Sequence, residues 1–261
     1  MNKSKVIFFG NGPLADYALA ELEKKCEIVF HAREKADLEI VKKIKLEHPE
    51  TFGVLASFGV MIKTDVLELF EPEGILNIHP SLLPKYRGAS PIESAILAGD
   101  TKFSVSVMKL VKAMDAGPVY YQTTLEDLSL DKGAIYRALA TVGAKWLAEN
   151  LTNLPESTEQ VGEPTFTGKF DKSMSWLKPE TETAEQILRK IVAFYGFPKA
   201  KYAFCGQNCI ILAAHIAEMG EIAPLKLKCQ DGDVVVDLLQ PEGKRPMDAK
   251  SFINGYGKLV K

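Results

Sequence analysis

The chain has 261 residues, enough for one large domain or two ordinary ones. With 46% hydrophobic and 25% charged residues it can bury a sizeable core, which excludes a disordered or fibrous chain, and four scattered cysteines exclude a disulfide-framed miniprotein. The net charge of −2 divides unevenly, with 18 basic against 23 acidic residues over 1–164 and 14 against 11 over 165–261. That mild excess fits an RNA-touching appendage and is equally ordinary for a small domain.

The first half alternates strand and helix patterns. KVIFF (5–9) is a short apolar run that Gly10, Asn11 and Gly12 break at once. It reads as a first strand rather than a signal peptide, so a cytoplasmic location is expected. The helix-spaced residues Leu14, Ala18, Leu19 and Leu22 follow, then EIVF (27–30) and a helix marked by Leu38, Val41 and Ile44. FGVLAS (52–57) and GILNIH (74–79) are strand-like, followed by a helix from about Ile92 to Ala98 and a strand from Phe103 to Leu110. Asp131 is placed to cap a helix carrying Ile135, Leu139, Val142 and Trp146. This alternation predicts an α/β fold, a Rossmann-like and mostly parallel sheet with ligands bound beyond the carboxyl ends of its strands.

The polar stretch after residue 150 has two prolines and no sustained period, and reads as a linker over 151–164 between domains at 1–150 and 165–261. In the second domain Thr183 and Gln186 form a capping box ahead of Ile187, Leu188, Ile191 and Val192, and Gly196 with Pro198 ends that helix. Strands are expected at 201–205, 209–216, 224–229 and 234–240, with Asp231-Gly232 turning between the last two. Closely spaced short strands predict a small OB-like β-barrel. Cys205, Cys209 and His215 lie close in sequence, but a zinc site needs a fourth ligand and tighter pairing, so no metal is expected.

Asn77 and His79 are two apart at the end of a strand, so both side chains share one face at the edge where ligands bind. An isolated pair of this kind is more often a satisfied turn. Here the loop that follows is stiffened by Pro80 and Pro84, and it gathers Ser81, Tyr86, Arg87 and Ser90 around Gly88 and Ala89. Met114-Asp115-Ala116-Gly117-Pro118 then sets a carboxylate on a sharp turn after the next strand. Asn, His and Asp at successive strand ends make an acid–base constellation.

N-I-H-P-S-L-L-P-K-Y-R-G-A-S-P-I over 77–92, with Asp115 36 positions after His79, resembles the folate-dependent formyltransferase family. The resemblance implies transfer of a formyl group from 10-formyltetrahydrofolate to an amine, with Asn77, His79 and Asp115 catalytic. Asn77 and a protonated His79 would stabilise the oxyanion of a tetrahedral intermediate. Asp115 would hold His79 and help move the proton. It also implies a folate pocket framed by Phe58, Gly59, Val60, Met61 and Ile62, by Ser81, Leu82, Leu83 and Pro84, and by Ala113 and Met114. Met61 and Ile62 fit a plain core equally well. Gly10, Asn11 and Gly12 would lie toward the acceptor, as would Arg87 and Gly88. The loop lacks the third glycine and the acidic residue of the dinucleotide fingerprint, so no NAD is expected.

Two C-terminal segments, 166–176 and 239–256, resemble methionyl-tRNA formyltransferases within that family. They imply initiator methionyl-tRNA as partner, with Lys244 and Arg245 among the basic residues for its phosphates. One departure is a short connection after the second strand, HAREKADLE (31–39), where those enzymes usually carry a long basic insertion. It leaves a nucleotide-linked amino sugar as the alternative acceptor, and a tRNA-binding protein without turnover as an alternative of another class. A monomer with no membrane partner is expected.

Overall fold

A computed structural model describes residues 3–257. The chain divides into two compact units, Met1–Ile92 with Thr101–Gly168, and Glu93–Asp100 with Lys169–Lys261.

The first unit begins β1 (Ser4–Gly10), α1 (Pro13–Leu22), β2 (Cys26–Ala32), α2 (Asp37–Glu47), β3 (Phe52–Ala56), α3 (Thr64–Leu67) and β4 (Ile75–His79). After β4 come β5 (Arg87–Gly88), α4 (Pro91–Ala98, most of which lies in the segment grouped with the second unit), β6 (Phe103–Lys109), β7 (Val119–Leu125), α5 (Lys132–Asn150) and β8 (Phe166–Thr167). A six-stranded sheet runs β2-β1-β3-β4-β6-β7. Its first four strands are parallel, and β6 and β7 each run antiparallel to the strand before them.

The continuous apolar run of β1 follows from burial on both faces, with Val6 to Phe9 inaccessible to solvent. On one face Phe9 meets Phe58 and Phe70 edge-on, within a cluster that includes Val41, Leu55 and Ile75. On the other, α1 and α5 pack together, and Gly143 lets α5 sit close beneath β4. A Cβ at that position would lie 2.7 Å from Ile78 Cγ2. Pro13 opens α1, where its missing N–H is not needed, and Asp131 caps α5 by accepting from the Ala134 amide. Strand β7 was not among the expected elements: Tyr120, Gln122 and Thr124 dilute its apolar signal because it is an edge strand with one open face.

The stretch expected as a linker is tied down over its second half. Val119 and Thr158 exchange two backbone hydrogen bonds of 2.8 and 2.9 Å, Arg87 N–H donates to Thr165 O at 2.8 Å, and β5 pairs in parallel with β8. The stretch from Thr101 through Gly168 therefore groups with the first unit, so the four residues 165–168 fall on its side of the expected boundary.

The second unit holds α6 (Ala184–Ala193), β9 (Lys201–Phe204), β10 (Gln207–Ile216), β11 (Lys226–Lys228), β12 (Asp233–Pro241), β13 (Met247–Asp248) and α7 (Ala249–Tyr256). Both hydrogen bonds of the Thr183–Gln186 capping box are present. The antiparallel sheet runs β11-β12-β10-β9, with β13 also on β12. Register shifts between Ile211 and Ala214 curl β10, as bulges do. Ile187, Ile191, Ile211, Val234, Leu239 and Phe252 fill the core of this small β unit.

Candidate active site

Strand β4 is flanked by β3 and β6, with Asn77 opposite Leu55 on one side and Met108 on the other. That central position buries its last polar residues, leaving Asn77 5% and His79 4% exposed. His79 Nε2 lies 3.0 Å from Tyr86 O. A carbonyl only accepts, so Nε2 carries a hydrogen and donates it there. Tyr86 holds that carbonyl in place from a left-handed backbone conformation, φ 58°. The Nδ1 edge of the ring then faces Asp115 Oδ2 at 3.7 Å, an ion-pair distance rather than a hydrogen bond.

The loop after β4 is fixed from below. Ser81 Oγ donates to Lys85 O, Ser106 Oγ donates to Ser81 O, and Leu83 N–H donates to Ser106 Oγ. Gln122 on β7 donates to Leu83 O at 2.9 Å. The loop thus rests on β6 and β7, and its buried polar groups are paired.

Asp115 was expected on a sharp turn after the strand that follows β4, among successive strand ends of a mostly parallel sheet. Because β6 runs antiparallel, Lys109 ends beside Leu76, at the start of β4, and the β6–β7 loop must turn back to reach Asn77 and His79. The loop closes with Lys109 N–H donating to Pro118 O at 3.0 Å, and Asp115 sits within it at φ 48°. Its Oδ2 accepts from Gly88 N–H at 2.7 Å, and Oδ1 faces Asn77 Nδ2 at 3.5 Å. Two loops and one strand therefore meet at a single carboxylate.

A further side chain braces this arrangement. Gln160 Nε2 donates to Asp115 O at 2.8 Å and to Gly117 O at 2.9 Å, while its Oε1 accepts from Arg87 Nε at 3.1 Å and Nη2 at 2.6 Å. Gln160 lies in an aperiodic polar stretch and carried no signal in the sequence.

The other expected site residues fall into four groups. Arg87 and Gly88 face Gln160 and Asp115, so the groups expected toward an acceptor are engaged in holding the β6–β7 loop. Among the expected pocket residues, Phe58 and Ile62 are core, Val60 packs against that core, and Ser81 and Leu83 are buried. Met61, Leu82 and Met114 are 80%, 42% and 60% exposed, Ala113 and Gly59 are also exposed, and Pro84 is buried. Gly10 is buried so tightly against Ala56 O that a Cβ would clash, its carbonyl faces His31 Nε2, and Asn11 and Gly12 lead into α1. Lys244 and Arg245 are exposed in the turn between β12 and β13 of the second unit.

Elsewhere in the second unit, His215 lies between Asp237 at 2.9 Å and Glu221 at 3.1 Å, and hydrogen bonds to these two carboxylates raise its proton affinity. Burial, then Asp231 and Asp233, pushes the Cys229 thiol up to about 11. Among the described residues no group of three or more His, Cys, Asp or Glu side chains is disposed to hold a metal, and no helix is long and apolar enough to cross a membrane.

The formyl transferase family model matches residues 10–151, and the C-terminal domain model of the same family matches residues 169–257. The chain belongs to the formyl transferase family. Among curated members, it is 34% identical over 262 aligned positions to a methionyl-tRNA formyltransferase of Thermus thermophilus, covering 94% of this chain and 82% of that one. It is 35% identical to a methionyl-tRNA formyltransferase of Jannaschia sp. over 78% of this chain and 70% of that one. Among solved structures, the fold matches a methionyl-tRNA formyltransferase from Clostridium thermocellum with a TM-score of 0.68 at 20% identity, over 92% of this chain and 98% of that one. It matches a variant of HypX from Aquifex aeolicus with a TM-score of 0.78 at 20% identity, over 98% of this chain but only half of that protein's length. An N-formyltransferase from Helicobacter canadensis, solved with folinic acid and dTDP-3-aminofucose, matches with a TM-score of 0.64 at 14% identity, over 92% of this chain and all of that one. These solved structures share the fold of this chain.

Proposed function

We propose that this family member transfers the formyl group of 10-formyltetrahydrofolate to the amino group of initiator methionyl-tRNA. The observation that carries the reaction is the convergence of Asn77 Nδ2 and His79 Nδ1 on the carboxylate of Asp115. Because Nε2 of His79 is engaged by Tyr86 O, Nδ1 is the ring nitrogen open to a reacting group. With Nε2 donating to Tyr86 O, Nδ1 can donate only from a ring that carries both protons, and that is the form the proposed step uses.

The amine nitrogen attacks the formyl carbon, forming a C–N bond while the C=O electron pair moves to oxygen. Asn77 Nδ2–H and His79 Nδ1–H stabilise the resulting oxyanion, and their burial makes these hydrogen bonds stronger than in water. Asp115 takes a proton from the attacking nitrogen and returns one to N10 of the folate. The C–N10 bond then breaks, and the carbonyl re-forms as the product formamide. Asp115→Asn should lower kcat by at least about a hundredfold while leaving folate binding measurable. Turnover near wild type in a stopped-time formyl-transfer assay would remove Asp115 from this role.

Support for the tRNA acceptor comes from identity to methionyl-tRNA formyltransferases over most of the chain, together with exposed Lys244 and Arg245 in the second unit. A nucleotide-linked amino sugar is the second reading. It is favoured by one feature, the four-residue connection Arg33 to Ala36 between β2 and α2, whose Arg33 and Glu34 amides are engaged by Asp37. The deciding experiment offers charged initiator methionyl-tRNA and a panel of nucleotide-linked amino sugars with the same donor. Formylation of sugar but not of tRNA overturns the first acceptor, and tRNA binding with no transfer to any amine overturns the enzyme reading.

A further inference from the structure

We infer that Gln160 is a positioning residue for formyl transfer, holding the Asp115 turn and the Gly88 amide in register with each other. The inference rests on the role proposed for Asp115. Its basis is the complete use of one carboxamide across two loops that are distant in sequence. A Gln side chain offers two N–H donors and two lone pairs on oxygen. Here both donors meet main-chain carbonyls of the β6–β7 loop, at Asp115 and Gly117, and the oxygen accepts two N–H groups from Arg87.

The consequence is geometric. Asp115 occupies a left-handed conformation, φ 48°, which a non-glycine residue does not hold without support. Gln160 bonds the carbonyl of that very residue, so it restrains the peptide from which the carboxylate projects. On the other side, Arg87 precedes Gly88, whose N–H donates to Asp115 Oδ2. Fixing the Arg87 guanidinium therefore steadies the amide that orients the carboxylate. One side chain thus grips Asp115 through its main chain and, by way of Arg87, through its carboxylate partner. Gln160 itself is held by the strap that carries it, which bonds to Val119 through Thr158 and to Tyr86, Arg87 and Pro84 through Thr165.

None of these bonds reaches a substrate, so the effect of Gln160 should fall on kcat rather than on donor binding. Gln160→Met keeps the length and removes all four hydrogen bonds. It should lower kcat by about ten- to a hundredfold, the scale expected when a reacting group is misplaced by roughly 1 Å. The donor KM should stay within about twofold. Gln160→Glu keeps the contact to Arg87 and turns a carboxylate toward the two carbonyls, so it should be impaired like Met and not rescued by the ion pair it gains with Arg87. Thr158→Val keeps the two main-chain bonds to Val119 and removes only the 3.4 Å bond from Thr158 Oγ1 to Val119 O, so it should retain wild-type kcat. It reports what a small loss elsewhere in the strap does.

All four proteins, with Asp115→Asn alongside, are to be compared by kcat, donor KM and melting temperature. A fall in kcat for both Gln160 variants, with donor KM and the Thr158→Val rate preserved, supports the inference. Wild-type kcat in either Gln160 variant overturns it while Asp115→Asn stays inactive, leaving the proposed reaction intact. If Asp115→Asn also turns over normally, both fall together. If Gln160→Met melts too early to assay, the Glu variant decides, because its retained bond to Arg87 preserves the strap.

Discussion

At the scale of single residues, the candidate site depends on main-chain groups as much as on side chains. The Gly88 N–H donates to Asp115, and Gly88 reaches that position at φ 120°, pressed against Thr167 O where a Cβ would clash. Gly88→Ala should therefore destabilise the fold by about 1–3 kcal/mol and depress kcat at the same time. Thermal melting and turnover check the two effects separately, and an unchanged melting temperature would contradict the predicted strain. Asn77, His79 and Asp115 could be read from the sequence because their side-chain chemistry and spacing carry the motif. The Tyr86 carbonyl and Gly88 amide could not, because every residue owns such groups and only backbone conformation aims them. Gln160 was hidden for another reason: it braces Asp115 from 45 residues away, in a segment without periodicity.

At the scale of elements, apolar patterns located most of the strands but not the edge strand β7, and strand direction is not a property of composition. The helix between β4 and β6 suggested a parallel crossover, the usual outcome of strand–helix–strand order. Instead β6 returns antiparallel, and the same apolar sequence Phe103–Lys109 would suit either direction. In the second unit, β10 and β12 are linked by a pH-sensitive contact. His215 on β10 faces Asp237 on β12, Glu221 in the following turn also reaches the ring, and Lys226 donates to the Glu221 carbonyl. The two carboxylates raise the affinity of the folded imidazole for its proton. The stabilisation is fully present below the unfolded value of about 6.5, and is lost as pH rises through the raised folded value. Denaturant titrations of the wild type and His215→Gln should therefore differ most at acidic pH and converge above that window. A constant difference from pH 5.5 to 9 would contradict the linkage.

At the scale of the whole molecule, the sign of charge changes along the chain: residues 1–164 carry 23 acidic against 18 basic side chains, and residues 165–261 carry 11 against 14. If the acceptor is tRNA, phosphate contacts should concentrate in the second unit. Replacing Lys244 and Arg245 together by Ala should then raise the acceptor KM several-fold and flatten its dependence on salt by about one to two in the log–log slope. kcat at saturating tRNA should remain as in the wild type, and an unaltered salt slope would remove both residues from the interface. The β6–β7 loop has a different bearing on how such proteins can diversify. Its ends are locked by the bond from Lys109 to Pro118, and Gly117 is too close to Lys109 O to admit a side chain. One residue more or fewer inside it would leave Asp115 out of reach with no slack to absorb the change. The β2–α2 connection is instead held locally, its Arg33 and Glu34 amides donating to Asp37, with no bond to Asn77, His79 or Asp115 among those described. Under the proposed reaction, the residues that act are thereby confined to a segment of fixed length, while the connection nearer the expected acceptor side is free of that constraint.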